Sequence, residues 1–209
     1  MSTVAAFDFD GTLTTRDCVV PFLELIAGRA RLIGGIVSHP LAAASAAVHR
    51  DRDRFKTLAV RACFAGREVS SIALAGDSFA DRIRRSWLRS DTVQRLEWHQ
   101  REGHHVVLVS ASLGPYLHPL GTMLGVDAVL CTEVVFGADQ RYTGELEGGN
   151  CRGPEKVRRL TTWLAERNLE RAELWAYGDS SGDRELLASA DHACLVKDQQ
   201  LRAAPDMSS

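Results

Sequence analysis

Apolar residues along this chain follow two rhythms. Short unbroken runs recur as "VAAFDF" (4–9), "HVVLVS" (105–110), "DAVLCT" (127–132), "AELWAYG" (172–178) and "HACLVK" (192–197). Runs this short and this apolar predict strands buried on both faces. The segments between them repeat apolar positions every three or four residues. Helices are predicted in "VVPFLELIAG", "PLAAASAAVHR", "DRFKTLAVRACFAG", "EVSSIALAGDSFADRIRRSWL", "SDTVQRLEWHQREG", "GPYLHPLGTMLG" and "GPEKVRRLTTWLAERN", with another from about Asp183. Ser90 suits an N-cap, Gly103 a position just past a C-terminus, and Pro154 a first helical turn. "EVVFGADQRYTGEL" alternates on either side of "GADQ" and predicts a β-hairpin.

Strands alternating with helices indicate an α/β fold, a Rossmann-like parallel sheet flanked by helices. The rhythm breaks once, where helices fill the space between strands one and two. The expected organisation is a core of residues 1–16 and 91–209 with a helical cap, 17–90, inserted after the first strand. Trp87, Trp98, Trp163 and Trp175 fall on core-like positions.

Composition narrows the class. The 209 residues carry a net charge of −2 with a pI near 6.4 and 45% hydrophobic residues, as in an ordinary globular protein. No basic stripe argues for nucleic acid, although residues 50–61 are locally basic. Five cysteines, 18, 63, 131, 151 and 194, are odd in number and contain no CxxC pair. They read as reduced thiols of a cytoplasmic protein. The chain enters its first strand directly, with no basic, cleavable leader. Residues 32–48 carry no formal charge, with His39 and Pro40 at the centre. They read as alanine-rich lid helices, with a membrane-surface hairpin as the alternative. Oligomeric state is not legible.

The polar residues that punctuate the strand ends carry the chemistry. Asp8 and Asp10 end strand one, Ser110 ends strand two, and Asp179 ends strand four. Asp183 follows four residues later and Lys156 opens the preceding helix. Ligands of open α/β sheets bind beyond the carboxyl ends of the strands. There, clustered carboxylates need a cation, and hard oxygen donors suit Mg²⁺. A cation and a lysine together attract phosphate and stabilise its transferring charge.

With these motifs assembled, the chain resembles the haloacid-dehalogenase-like phosphatases. "FDFDGTLT", "VLVSAS", "GPEK" and "YGDSSGD" match their four motifs in order, between residues 4 and about 196. The helical insertion between the first two resembles the phosphoserine-phosphatase-like branch. "TGELEGGNCRGPEK" is also similar to a group of small bacterial hydrolases within it. The resemblance implies that Asp8 is the nucleophile and becomes an aspartyl-phosphate, and that Asp10 is the general acid and base. It implies Mg²⁺ on Asp8, Asp179 and the backbone carbonyl of Asp10, with Asp183 orienting metal water and Lys156. Thr12 and Ser110 become phosphate-binding hydroxyls, aided by backbone N–H groups near Gly11 and Ala111. Arg152 rivals Lys156 for the cationic role, but the distance from Lys156 to Asp179 fits the family spacing.

Departures bear on the substrate. Phosphoserine phosphatase carries glutamate where this chain has Asp17, and commonly serine where it has Gly11. Its lid arginine aligns only loosely with Arg61, and its second motif is Ser-Gly-Gly rather than Ser-Ala-Ser. The expected activity is therefore hydrolysis of a small phosphorylated metabolite. Phosphoserine, a lipid head-group phosphate, and phosphoryl transfer to an acceptor alcohol are the alternatives. Asp17 and Arg61 are the expected substrate-selecting residues.

Overall fold

The computed structural model describes residues 2–37, 52–197 and 200–201. Its seven strands form one sheet in the order β4-β3-β2-β1-β5-β6-β7. They are β1 (Thr3–Phe7), β2 (His105–Leu113), β3 (Ala128–Phe136), β4 (Tyr142–Glu147), β5 (Glu173–Gly178), β6 (His192–Lys197) and β7 (Gln200–Leu201). β1 runs parallel to β2 on one side and to β5 on the other, and β3 and β6 extend the parallel sheet. Only β4 and the short β7 are antiparallel. The chain builds outward from β1 in one direction, then returns and builds in the other. A crevice opens at the carboxyl ends of β1, β2 and β5, where that direction reverses.

Eight helices are described: α1 (Val19–Ala27), α2 (Arg29–Val37), α3 (Arg52–Phe64), α4 (Val69–Ser86), α5 (Ser90–Arg101), α6 (Gly114–Leu124), α7 (Pro154–Glu166) and α8 (Arg184–Ala188). Side-chain alternation divides the core in two. Ala5, Phe7, Val106, Leu108, Trp175 and Tyr177 face the layer containing α5, α6 and the inserted helices. Val4, Ala6, Val107, Val109, Leu174 and Ala176 face α7 and α8 through Leu160, Trp163 and Leu186.

The insertion, α1 to α4, is joined to the core by two adjacent segments. Thr14 bridges Leu88, and the amides of Thr15 and Arg89 donate to the carbonyls of Trp87 and Leu13. It shares the hydrophobic interior of the core. Phe22, Phe64 and Phe79 of the insertion cluster around Tyr116 and Tyr142 of the core. Gly76 brings α4 onto α6 so closely that a Cβ there would lie 2.0 Å from the Pro115 carbonyl oxygen.

Three boundaries differ from the sequence reading. "DAVLCT" and the first arm of the hairpin form one nine-residue strand, β3, which turns into β4 through residues 137–141. Strand two continues to Leu113, so Ser110 lies within it, where the register with β3 shifts. The helix expected from Asp183 starts as a 3₁₀ turn, Ser181–Asp183, before α8. Residues 38–51, with most of the uncharged stretch and its membrane-hairpin alternative, lie outside the described residues. No helix among the described residues is long and apolar enough to cross a membrane.

Candidate active site

Asp8 is the first residue past β1, and its amide donates to the Tyr177 carbonyl of β5 at 2.8 Å. The chain then leaves the sheet abruptly. The amides of Thr12, Leu13 and Thr14 all donate to the Phe9 carbonyl, at 3.2, 2.9 and 3.1 Å. Gly11 makes the turn possible. Its φ of +81° is unfavourable for a side chain, and a Cβ there would lie 2.4 Å from Asp179 Oδ2. Asp179, just past β5, can thus stand over the strand-one turn.

The carboxylates of Asp8, Asp179 and Asp183 offer oxygens within 4.8 Å of one another. Lys156, in the first turn of α7, puts its Nζ 2.5 Å from Asp8 Oδ1 and 2.6 Å from Asp183 Oδ1. Lys156 and Asp183 are almost wholly buried. Asp183 is held by the Ser180 amide and hydroxyl at 3.1 and 2.9 Å. One lysine against three acids leaves a surplus that matches a divalent cation. The donors are all hard oxygens, so they fit Mg²⁺.

Asp10 faces away from that cluster. Its Oδ1 accepts the Cys18 amide at 2.9 Å and its Oδ2 accepts the Ser112 hydroxyl at 2.5 Å. Ser112 in turn accepts from the Tyr116 hydroxyl at 2.8 Å. Burial, with the Asp17 charge beside it, pushes the Asp10 carboxyl up to about 6, against the opposing pull of the Ser112 and Cys18 hydrogen bonds. Burial also raises Asp8, although Lys156 opposes it. Asp179 is raised by burial and by Asp183. For Lys156 burial works downward, but the charges of Asp8 and Asp183 outweigh it and keep the ammonium protonated.

A pocket of about 360 Å³ gathers Asp8, Asp10, Gly11, Asp17, Ser110, Ala111, Lys156, Asp179 and Asp183. Ser110 Oγ accepts the Ser112 amide at 3.0 Å. The Gly11 amide makes a 3.3 Å contact with Thr14 Oγ1. Asp17 also caps α1 through the amides of Val19 and Val20. Arg152, the rival cation, lines the pocket too, but it reaches Ser181 rather than the carboxylates.

Two expected residues do not line this pocket. Thr12 is fully buried, and its hydroxyl donates to Asp8 Oδ2 at 3.3 Å, so it does not line the pocket. Arg61 lines a different depression with Asp53, Thr57 and Gly144. Close contact explains this: a Cβ on Gly144 would lie 2.9 Å from Arg61 Cα, so α3 presses its Arg61 face onto β4. The α3 cation that lines the pocket is instead Lys56, five residues earlier and about 140° around the same helix. Its Nζ donates to the Ala111 carbonyl, to Asn150 Oδ1 at 2.7 Å and to Thr132 Oγ1 at 3.1 Å. Burial lowers its pKa to about 8, against the opposing charge of Asp10.

Sequence reasoning missed Lys56, Asn150 and Ser112. A signal existed for Ser112: positions i and i+2 of a strand share a face, so Ser110 and Ser112 belong together. None existed for Lys56, because the docking of α3 selects it.

The family model for haloacid dehalogenase-like hydrolase matches residues 5–188. Protein CicA of Caulobacter vibrioides is 37% identical over 188 residues, covering 90% of this chain and 83% of that protein. "Probable phosphatase Rv3661" of Mycobacterium tuberculosis is 25% identical over 206 residues, covering 96% and 71%. A substrate-bound phosphoserine phosphatase structure superposes with a TM-score of 0.63 at 16% identity, covering 91% of this chain and 83% of that one, a likeness of fold.

Proposed function

This chain belongs to the haloacid dehalogenase-like hydrolase family as a phosphatase, and we propose that it cleaves a small phosphomonoester through an aspartyl-phosphate on Asp8. The observation that carries the proposal is the convergence of Asp8, Asp179, Asp183 and Lys156 beside a separately held, pKa-raised Asp10. Nucleophile and acid are two residues apart, but their environments differ, which is how two carboxyl groups take different roles.

In this reading Mg²⁺, held by Asp8, Asp179 and the Asp10 carbonyl with Asp183 nearby, would neutralise phosphate charge. Lys156 supplies a second, fixed positive charge and holds Asp8 and Asp183 in place. The hydroxyl of Ser110 and the amides of Gly11 and Ala111 orient the phosphoryl oxygens. Asp8 Oδ forms a bond to phosphorus as the ester P–O bond breaks, and Asp10 delivers its proton to the leaving alkoxide. Asp10, now ionised, takes a proton from a water that attacks the aspartyl-phosphate. Inorganic phosphate leaves and Asp8 is regenerated.

The inserted helices (17–90) act as a cap over the catalytic core (1–16 and 91–209), and the cap chooses the leaving group. Asp17 and Lys56 place opposite charges at one mouth. That pair favours a phosphorylated amino acid or a related zwitterion over a neutral alcohol phosphate. The cytoplasm suits the five cysteines, among which no disulfide forms.

The test is a phosphate-release screen across phosphoamino acids, sugar phosphates, nucleotides and lipid head-group phosphates. A chelator should abolish turnover and Mg²⁺ should restore it. Asp8→Asn should fold yet release no phosphate, and rapid acid quench of the native protein should trap phosphate on Asp8. Full turnover by folded Asp8→Asn would refute the mechanism. An added acceptor alcohol that becomes phosphorylated would reassign the chain to phosphoryl transfer.

A further inference from the structure

We infer that His118, Cys131 and Glu133 form a second metal site, suited to zinc or a similar borderline divalent ion and separate from the Asp8 pocket. Cys131 and Glu133 sit two apart on β3 and therefore share a face; His118 reaches them from α6. Their donor atoms, one nitrogen, one sulfur and one carboxylate oxygen, lie within 4.8 Å of one another. None of the three lines the catalytic pocket. Thr132, between the two strand residues, points instead toward Lys56 and Asn150.

The three groups converge on one point. Glu133 Oε1 lies 2.6 Å from His118 Nε2 and 3.1 Å from Cys131 Sγ, and Sγ is 3.8 Å from Nε2. Tetrahedral zinc with metal–nitrogen and metal–oxygen bonds of about 2.1 Å and a metal–sulfur bond of about 2.3 Å requires N···O near 3.4 Å and S···N and S···O near 3.6 Å. The glutamate must therefore withdraw by less than about 1 Å to admit an ion. His118, about half exposed, can follow. The Cys131 thiol is buried, and its sulfur lies within hydrogen-bonding reach of the other two donors, with Cys151 and Arg159 nearby.

An ion pair between His118 and Glu133 accounts for neither the thiol nor the neighbouring glycine. Gly114 opens α6, and a Cβ there would lie 2.1 Å from Glu133 Oε2. The backbone thus leaves room for this carboxylate, although no side chain caps the helix. Burial and Glu133 keep the thiol protonated, whereas Glu133 keeps His118 inclined to hold its own proton. Binding would release the thiol proton, and the proton shared by His118 and Glu133, to solvent. A bound ion would gain one bond each to sulfur, nitrogen and oxygen from these three residues. A sulfur–nitrogen–oxygen set selects zinc-like ions over Mg²⁺, so the two sites sort two metals by hardness.

The experiment is a cobalt(II) titration of the purified chain in excess magnesium, followed by ultraviolet–visible absorption. A thiolate-to-cobalt charge-transfer band should grow to one equivalent and vanish when zinc is added. His118→Gln should keep the band but weaken cobalt binding by more than about 100-fold, beyond the roughly 10–100-fold that loss of an outer-sphere partner costs. It should leave phosphate release unchanged. Cys131→Ser should abolish the band, with circular dichroism reporting whether it folds. The site is overturned if no charge-transfer band forms at saturating cobalt, if the band survives in Cys131→Ser, or if His118→Gln binds cobalt as tightly as the native chain. The more exposed His118 variant decides the matter if the buried serine variant does not fold.

Discussion

Lys156→Met removes a cation that touches both Asp8 and Asp183 while keeping much of the side-chain volume. At 2.5 and 2.6 Å, each contact is worth about 6 kcal/mol of gross Coulomb energy at an effective dielectric of about 20. Most of that only offsets the desolvation of three buried charges. The expected loss is the penalty for stranding buried carboxylates without a partner, about 3–5 kcal/mol. For a chain of this size that is a fall in Tm of roughly 6–20 °C. The sign with pH follows from Asp8. Without Lys156, its folded pKa rises further above the unfolded value, so the folded state binds more protons than the unfolded state between the two. Stability of the variant then falls as pH rises through that window, and its deficit should be larger at pH 8 than at pH 5. Added Mg²⁺ should raise the Tm of the variant more than that of the native chain, because it replaces a missing charge. The assay is differential scanning calorimetry in chelator and in Mg²⁺ at both pH values, with phosphate release measured alongside. A variant with native Tm at pH 8 in chelator and near-native turnover would refute the counter-charge reasoning.

Three further outcomes follow. Ser112→Ala removes the hydrogen bond that holds the Asp10 pKa down, so the basic limb of the kcat/KM profile should move to higher pH; an unchanged limb would mean that Asp10 is not the titrating acid. Asp17→Asn should reorder substrates more than it slows p-nitrophenyl phosphate, and an equal loss on all substrates would place residue 17 in folding or catalysis. His99 is buried against Tyr177 and His104, and burial, with His104 and Arg95, lowers its pKa to about 3 from 6.5. Its contribution is complete above pH 6.5 and shrinks as pH falls toward 3, by about 2 kcal/mol at pH 5. His99→Gln should flatten that slope in denaturant titrations, and an unchanged slope would assign acid sensitivity elsewhere.

Local chemistry made much of this protein legible in its sequence. Buried strands must be apolar, so β1, β2, β3, β5 and β6 could be read from their runs. Carboxylates at strand ends stand out because desolvated charge needs a reason. Hence Asp8, Asp10, Asp179, Asp183 and Lys156 stand out in the sequence, and the structure gathers them in one pocket. The remaining features depend on how helices dock. Nothing local distinguishes Lys56 from Arg61 on the same helix; the contact between Arg61 and Gly144 turns one cation toward β4 and the other toward the pocket. Nor could the sequence place Thr12 inward, since that depends on how tightly the chain folds back onto Phe9. His118, Cys131 and Glu133 meet only because α6 packs across β3, and a glycine at 114 leaves space for the carboxylate. Patterning decides which residues are buried and which strands pair. The rotation of each helix on the sheet, set by close packing over many residues, decides which polar side chains meet.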